Sequence, residues 1–206
     1  MSNMKALFLN ASLKGSDHQS NTQALAEEVF NHFRELNVEV ETIRIADYRL
    51  AYGVDYDLGE GDQWPQLFER VKVADIVIVG TPLWLGEKSS VASLLMERLY
   101  GSTGVTNEEG QPVYYNKVAG TIITGNEDGA KQAARSILYG MSHIGFTIPP
   151  NVDTYWVGEA GPGASFIEAG GRQNEFTTGH AKMLAYNMTH MARILKENPI
   201  PADGNV

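Results

Sequence analysis

Leu7 to Thr22 reads LFLNASLKGSDHQSNT. An apolar run, Ala6 to Leu9, ends in a polar loop, and the loop leads into a helix expected to begin near Asn21. Ser12, Ser20, Asn21 and Thr22 bring short hydrogen-bonding side chains, Lys14 brings one positive charge, and Gly15 lets the loop bend. At the helix start, unpaired backbone N–H groups and the positive end of the macrodipole face that loop, which is what a phosphate group needs. The dinucleotide pattern G-x-G-x-x-G is absent, and so is the G-K-[ST] ending of nucleoside-triphosphate loops. The loop therefore suits a terminal monophosphate held by hydroxyls and amides. Taken alone, it is equally an ordinary strand-to-helix connection with a Ser-Asn-Thr cap.

Strand-like and helix-like segments alternate outward from this stretch. Leu25, Val29, Phe33 and Leu36, with Ala26 and Phe30, form one apolar helical face. Val38 to Ile45 alternates as a half-exposed strand should, with Glu39, Glu41 and Arg44 on its polar side. A polar, tyrosine-rich connection from Asp47 to Gln63 leads to a short helix with Trp64, Leu67, Phe68 and Val71 on one side and Pro65 in its first turn. Asp75 to Gly80 and Val118 to Thr124 are continuous apolar runs, the mark of strands covered on both faces. A helix follows each, the first marked by Val91, Leu94, Leu95 and Leu99, the second by Ala130, Ala134, Ile137, Met141 and Ile144. Gly101 to Asn116, between them, reads as a surface excursion without chemistry. Val152 to Val157 is a last strand of mixed polarity. Glycine-rich Gly158 to Thr178 then precedes a final helix carrying Leu184, Met188, Met191 and Leu195, and residues 198–206 are expected to form a loose tail.

This pattern implies one α/β domain over residues 1–206, a three-layer fold with a five-stranded parallel sheet and helices on both faces. The first, third and fourth strands read as interior and the second and fifth as edges, which is the flavodoxin-like order 2-1-3-4-5. In that order ligands sit beyond the carboxyl ends of the strands, where the chain reverses between the first and third. The rim loops there are Asn10 to Thr22, Thr81 to Ser90 and Thr124 to Gly129.

The second rim loop carries Pro82, Leu83, Trp84, Leu85 and Gly86, apolar residues where a loop is ordinarily polar. Such a surface suits a flat hydrophobic ring, although Trp84 also fits a core or a subunit interface. The third holds Thr124, Gly125, Asn126, Glu127 and Gly129, whose free amides suit an electron-rich ring edge. It equally suits a glycine turn with Asp128 near a helix cap.

Composition limits the partners. A net charge of -9 argues against nucleic acid and against an anionic membrane surface. The absence of cysteine excludes disulfides, iron–sulfur clusters and cysteine nucleophiles. No stretch reads as a membrane span or a signal peptide, so a cytoplasmic location is expected. The five histidines show no metal-ligand spacing, and the acidic run Asp55, Asp57, Glu60 and Asp62 reads as a solvated loop.

Asn10-Ala11-Ser12 with Ser20-Asn21-Thr22, then Thr81-Pro82-Leu83-Trp84, then Thr124-Gly125-Asn126, together resemble the motifs of the NADPH-dependent FMN reductase family. The resemblance covers roughly residues 4 to 157. It implies bound FMN, with the phosphate on Ser12, Ser20, Asn21 and Thr22, the ring along Pro82 to Gly86, and the far ring edge at Thr124 to Glu127. It further implies NADPH or NADH as reductant and a quinone, flavin or similar small molecule as acceptor. Two departures stand out: Ala11 replaces the glycine of the family's G-S-x-R-x-x-S loop, and Pro82-Leu83-Trp84-Leu85 replaces Pro-x-Tyr-Asn. No catalytic side chain is nominated, since the flavin would carry the chemistry. Tyr155, Trp156 and Phe166 are candidates for a pocket wall, with core packing as the simpler reading of each. A homodimer or homotetramer closing over Trp84 and the Tyr48 to Tyr56 loop is expected. The alternative is a flavodoxin-type electron carrier of the same fold. A receiver domain would need acidic residues where Asn10-Ala11 and Gly80-Thr81 stand, and a hydrolase would need a G-x-S-x-G elbow or a cysteine.

Overall fold

In the computed structural model, which describes residues 4–206, the Leu7 stretch lies at the centre of the sheet. Strand β1 (Met4–Asn10) pairs in parallel with β2 (Val38–Arg44) on one side and β3 (Ile76–Trp84) on the other. Beyond β3 come β5 (Val118–Gly125) and β6 (Asp153–Val157), so the five parallel strands run β2-β1-β3-β5-β6. Counted without β4, that is the order 2-1-3-4-5, with the two mixed-polarity strands at the edges. The addition is β4 (Glu87–Lys88), which turns back antiparallel on the end of β3.

Burial of both sheet faces explains the apolar runs. Successive side chains of β1 alternate between faces: Ala6 and Phe8 enter one core and Leu7 and Leu9 the other. Helices α1 (Asn21–Glu35) and α5 (Glu175–Glu197) cover the first face through Leu25, Val29, Phe33, Leu184 and Met188. Helices α2 (Trp64–Val73), α3 (Ser90–Gly101) and α4 (Ala130–His143) cover the second through Phe68, Leu95, Leu99, Ile137 and Met141. Among the described residues, no helix is long and apolar enough to cross a membrane.

Three expectations need correction. Gly101 to Asn116 is more than a surface excursion: Tyr114 is fully buried against Phe146 and Phe68 and donates its hydroxyl to the Leu99 carbonyl, 2.5 Å away. The tail is tied at its start, because Ile200 N–H donates to Asn116 Oδ1 and Gln111 Nε2 donates to the carbonyls of Ile200 and Pro201. Asp62 leaves the solvated acidic loop and is buried against the Arg98 guanidinium at 2.6 Å. Each depends on a polar partner distant in sequence, which periodicity does not reveal.

Candidate functional site

The loop from β1 to α1 is organised by Asn10, fully buried at the strand's end. Its Oδ1 accepts from the Ser12 N–H (3.0 Å) and the Ser12 hydroxyl (2.7 Å), while its Nδ2 donates to Gln23 Oε1 (3.1 Å). An amide oxygen only accepts, so the Ser12 proton is spent on it. Ser20 then donates to Ser12 Oγ (2.8 Å) and, as the N-cap of α1, accepts from Gln23 N–H (3.0 Å). Both hydroxyl protons are thus turned inward, and the N–H groups of Asn21 and Thr22 are left without intrahelical partners. Asn21 Oδ1 accepts from the Ile167 N–H (2.9 Å), fastening the glycine-rich segment, and Thr22 Oγ1 lies 2.9 Å from Thr124 Oγ1 across the cleft floor.

The second rim loop is largely strand. Pro82, Leu83 and Trp84 continue β3, Leu85 and Gly86 make the turn, and Glu87 and Lys88 return. Both turn residues have positive φ (54° and 74°), the conformation of a two-residue type I′ hairpin. Lys88 Nζ donates to Ser136 Oγ (2.6 Å) on α4 and Gln132 Nε2 donates to Glu87 Oε2 (3.2 Å), so the hairpin is braced against that helix. Ser89 Oγ donates to the Ala11 carbonyl (2.8 Å), joining the first two loops. Gly129 (φ 107°) joins the second and third, since a Cβ there would collide with the Gly86 carbonyl. From the third loop Asn126 Nδ2 donates to the Ala164 carbonyl (2.9 Å), a second fastening for the glycine-rich segment.

These loops enclose a cleft of about 650 Å³, within the range of small-molecule and cofactor sites. Ser12, Lys14, Ser20, Asn21 and Thr22 line one end, Pro82 to Gly86 one side, and Thr124 to Glu127 another. Gly129 stands behind the wall, as the residue that lets two loops touch. Trp84 is 58% exposed and Leu85 98% exposed, so both belong to the rim and neither to the core. Trp156 and Phe166 serve both readings: they pack edge to face at 5.7 Å within the core and also line the cleft. Tyr155 packs instead against Phe176 and is absent from the lining. Sequence reasoning missed Leu13, Gln19, Gly161, Ser165 and above all Arg44. The sequence reading groups Arg44 with Glu39 and Glu41, but the alternation of β2 sets it with Val38, Val40 and Thr42, and beneath the loop it is only 9% exposed. Its Nη1 donates to the carbonyls of Lys14 (2.9 Å) and Gly15 (3.0 Å), and burial lowers its pKa against the opposing pull of Asp47 and Asp17.

One end of the cleft thus offers free amides and two cations, and the other offers apolar and aromatic walls. An anionic tail joined to a flat ring fits that division. The family model described as NADPH-dependent FMN reductase matches residues 4–159. The chain belongs to that family. With it come the flavin-dependent oxidoreductases as its functional class and FMN as its flavin.

Two relatives extend the comparison. The 8-demethyl-8-aminoriboflavin-5'-phosphate synthase of Streptomyces davaonensis is 35% identical over 97% of this chain and 81% of its own length. A stretch of the divalent metal cation transporter MntH of Mycobacterium bovis is 43% identical over 94% of this chain, but this chain spans only 29% of that protein's length. Among solved structures, RosB with bound 8-demethyl-8-formylriboflavin-5'-phosphate superposes with a TM-score of 0.88 at 35% identity, covering 96% of this chain and 82% of that one.

Proposed function

We propose that this member of the FMN reductase family takes electrons from NADPH or NADH and delivers them, through FMN held in the rim cleft, to a quinone, a flavin or a similar small acceptor. The observation that carries the reading is the division of one cleft into an amide-rich cationic end and an apolar aromatic end, both built by the three rim loops. The similar RosB structure, which holds a riboflavin-5'-phosphate derivative, supports a flavin phosphate as the occupant.

FMN supplies the two-electron chemistry when bound. The protein binds and orients. Asn21 and Thr22 amides, with the Ser12 and Ser20 hydroxyls, would hold the phosphate once those hydroxyls turn outward from their inward ring. Leu83 and Trp84 would hold one side of the ring, and amides of the Thr124 to Glu127 turn would face its polar edge, where they stabilise added negative charge. Trp156 and Phe166 exclude water from the floor. Trp84 and Leu85 stand at the open rim, where a nicotinamide or a quinone would approach, and a second copy of the chain would find them exposed there.

The test is a visible spectrum of the protein loaded with FMN and freed of excess, followed by anaerobic NADPH and then NADH. A retained yellow flavin that bleaches within seconds and recovers colour on adding a quinone is expected. A retained flavin that ignores both nucleotides would favour an electron carrier, and no retained flavin would defeat the reading. Mass spectrometry of the released flavin checks that FMN returns unchanged, as a cofactor must. Light scattering on the same sample reads the homodimer or homotetramer directly, and a monomer would defeat that part.

A further inference from the structure

Arg44 ends β2 beneath the loop that leads to α1. Its Nη1 is spent on the Lys14 and Gly15 carbonyls, while its Nε is buried with no hydrogen-bond partner. Arg44 joins none of the ion pairs among the described residues. The two nearby carboxylates are engaged elsewhere: Asp17 binds the His18 ring at 2.8 Å, and Asp47 Oδ1 accepts from the Ser16 N–H at 2.8 Å. A guanidinium taken out of water without a carboxylate bears the desolvation cost with little return. In a chain of net charge -9, such a residue at a cleft that already offers helix amides is best understood as awaiting an anion.

We propose that Arg44 is the counter-charge of the cleft's phosphate end and makes the cleft select a phosphorylated flavin over the dephosphorylated one. This rests on the flavin reading above. Nη1 anchors the fork to the loop, which leaves Nη2, without a hydrogen bond among the described residues, as the donor held in place before the ligand arrives. Nη2 carries two N–H donors fixed in the guanidinium plane, a direction that a freely rotating ammonium does not hold. Lys14, on the loop itself, adds a second charge without that geometry. The same contact makes loop closure and phosphate capture a single event, because Arg44 holds the loop backbone through Lys14 and Gly15.

Flavin-fluorescence titrations with FMN and with riboflavin, on the wild type, Arg44→Met and Arg44→Lys, test the assignment. The wild type is expected to bind FMN well above riboflavin. Arg44→Met should weaken FMN by roughly 10- to 100-fold, the worth of a hydrogen-bonded charge, and leave riboflavin within about 2-fold. Arg44→Lys should recover part of the FMN affinity. Millimolar inorganic phosphate should compete with FMN in the wild type and lose that effect in Arg44→Met. Equal loss of FMN and riboflavin would show that Arg44 only holds the loop, and unchanged affinity for both would show that it does nothing for the ligand; either overturns the proposal. If Arg44→Met fails to fold, Arg44→Lys carries the test: its selectivity must fall below the wild type's, and undiminished selectivity overturns the proposal. A wild type that binds neither flavin defeats the flavin reading instead. Calorimetric titration of inorganic phosphate into wild type and Arg44→Met then tests the anion site alone, with equal binding overturning it.

Discussion

Among the described residues two arginines are buried; each keeps an Nε without a hydrogen-bond partner, and what separates them is whether a carboxylate meets the guanidinium. Arg98, on α3, is fully buried; it donates to the carbonyls of Ala51 and Tyr56 (3.1 Å each) and pairs with Asp62 at 2.6 Å. Asp62 is itself satisfied by the N–H groups of Ala51, Leu58 and Trp64. Burial raises the Asp62 pKa, but those amides and the guanidinium more than reverse it, so the carboxyl stays below its ordinary value. Arg44 is almost as buried and has no carboxylate. A buried charge that finds its partner inside the fold is architecture; one that does not is a request for a ligand. Arg98 fastens the 48–63 connection to α3, and Arg44 faces the cleft.

The largest effect should separate the two directly. Arg98→Met leaves the Asp62 carboxylate buried without its cation and should cost about 3–5 kcal/mol of stability. Arg44→Met orphans no charge and should change the ligand-free stability by less than about 1 kcal/mol, because the carbonyls it releases lie at the surface loop. Urea unfolding of the three proteins without flavin measures both. Equal losses would mean that Arg44 is a structural residue like Arg98, and the comparison would collapse.

Lys117, half-buried and held by backbone carbonyls, sharpens the contrast from the other end of the sheet. Its Nζ donates to the Lys72 (2.7 Å) and Ala74 (2.8 Å) carbonyls at the end of α2. Burial pulls its pKa down to about 8, with Asp75 opposing and Lys196 assisting. A depressed lysine pKa means that the unfolded chain holds the proton more tightly. The stability it permits is therefore complete above the unfolded value near 10.5 and is lost as pH falls from there through about 8. The difference in unfolding free energy between wild type and Lys117→Met should accordingly shift with pH between 8 and 10.5, by as much as about 3 kcal/mol. Other titrating groups cancel in that difference. A flat difference would mean that the two carbonyls hold the ammonium charged at no net cost.

The sheet order and the three rim loops were legible because both follow from local pattern. Apolar runs mark β3 and β5 as doubly covered, and alternation marks β2 as an edge. The polar pairs were not legible. Asp62 and Arg98 are 36 residues apart, and nothing in the acidic run distinguishes Asp62 from Asp55 or Asp57. Arg44 is a related case: by the period of the strand it shares the face of Val38, Val40 and Thr42, so grouping it with Glu39 and Glu41 mistakes its face, and no period reveals that the loop from β1 folds over it. Trp84, which the sequence leaves open between rim, core and subunit interface, stands exposed at the rim, yet the hairpin that carries it is invisible in the sequence, since a two-residue strand has no period. The family motifs found the cleft, and they did not find the charge beneath it.

The smallest effect concerns that hairpin. A type I′ turn wants asparagine before glycine, because both residues take positive φ. Here the first position holds Leu85, with φ 54° and almost no buried surface. A leucine in that conformation is strained and gains nothing from packing within the chain. Leu85→Asn should therefore stabilise the ligand-free protein by about 1 kcal/mol or less, read as a small rise in the urea midpoint. If the strain is kept for contact with an acceptor or a second subunit, the same variant should lower kcat/KM for the quinone several-fold or weaken self-association, while FMN affinity holds. A variant that is more stable and unchanged in turnover and assembly would leave Leu85 without a role. The cleft's selectivity would then rest on its cationic end, where Arg44 already stands.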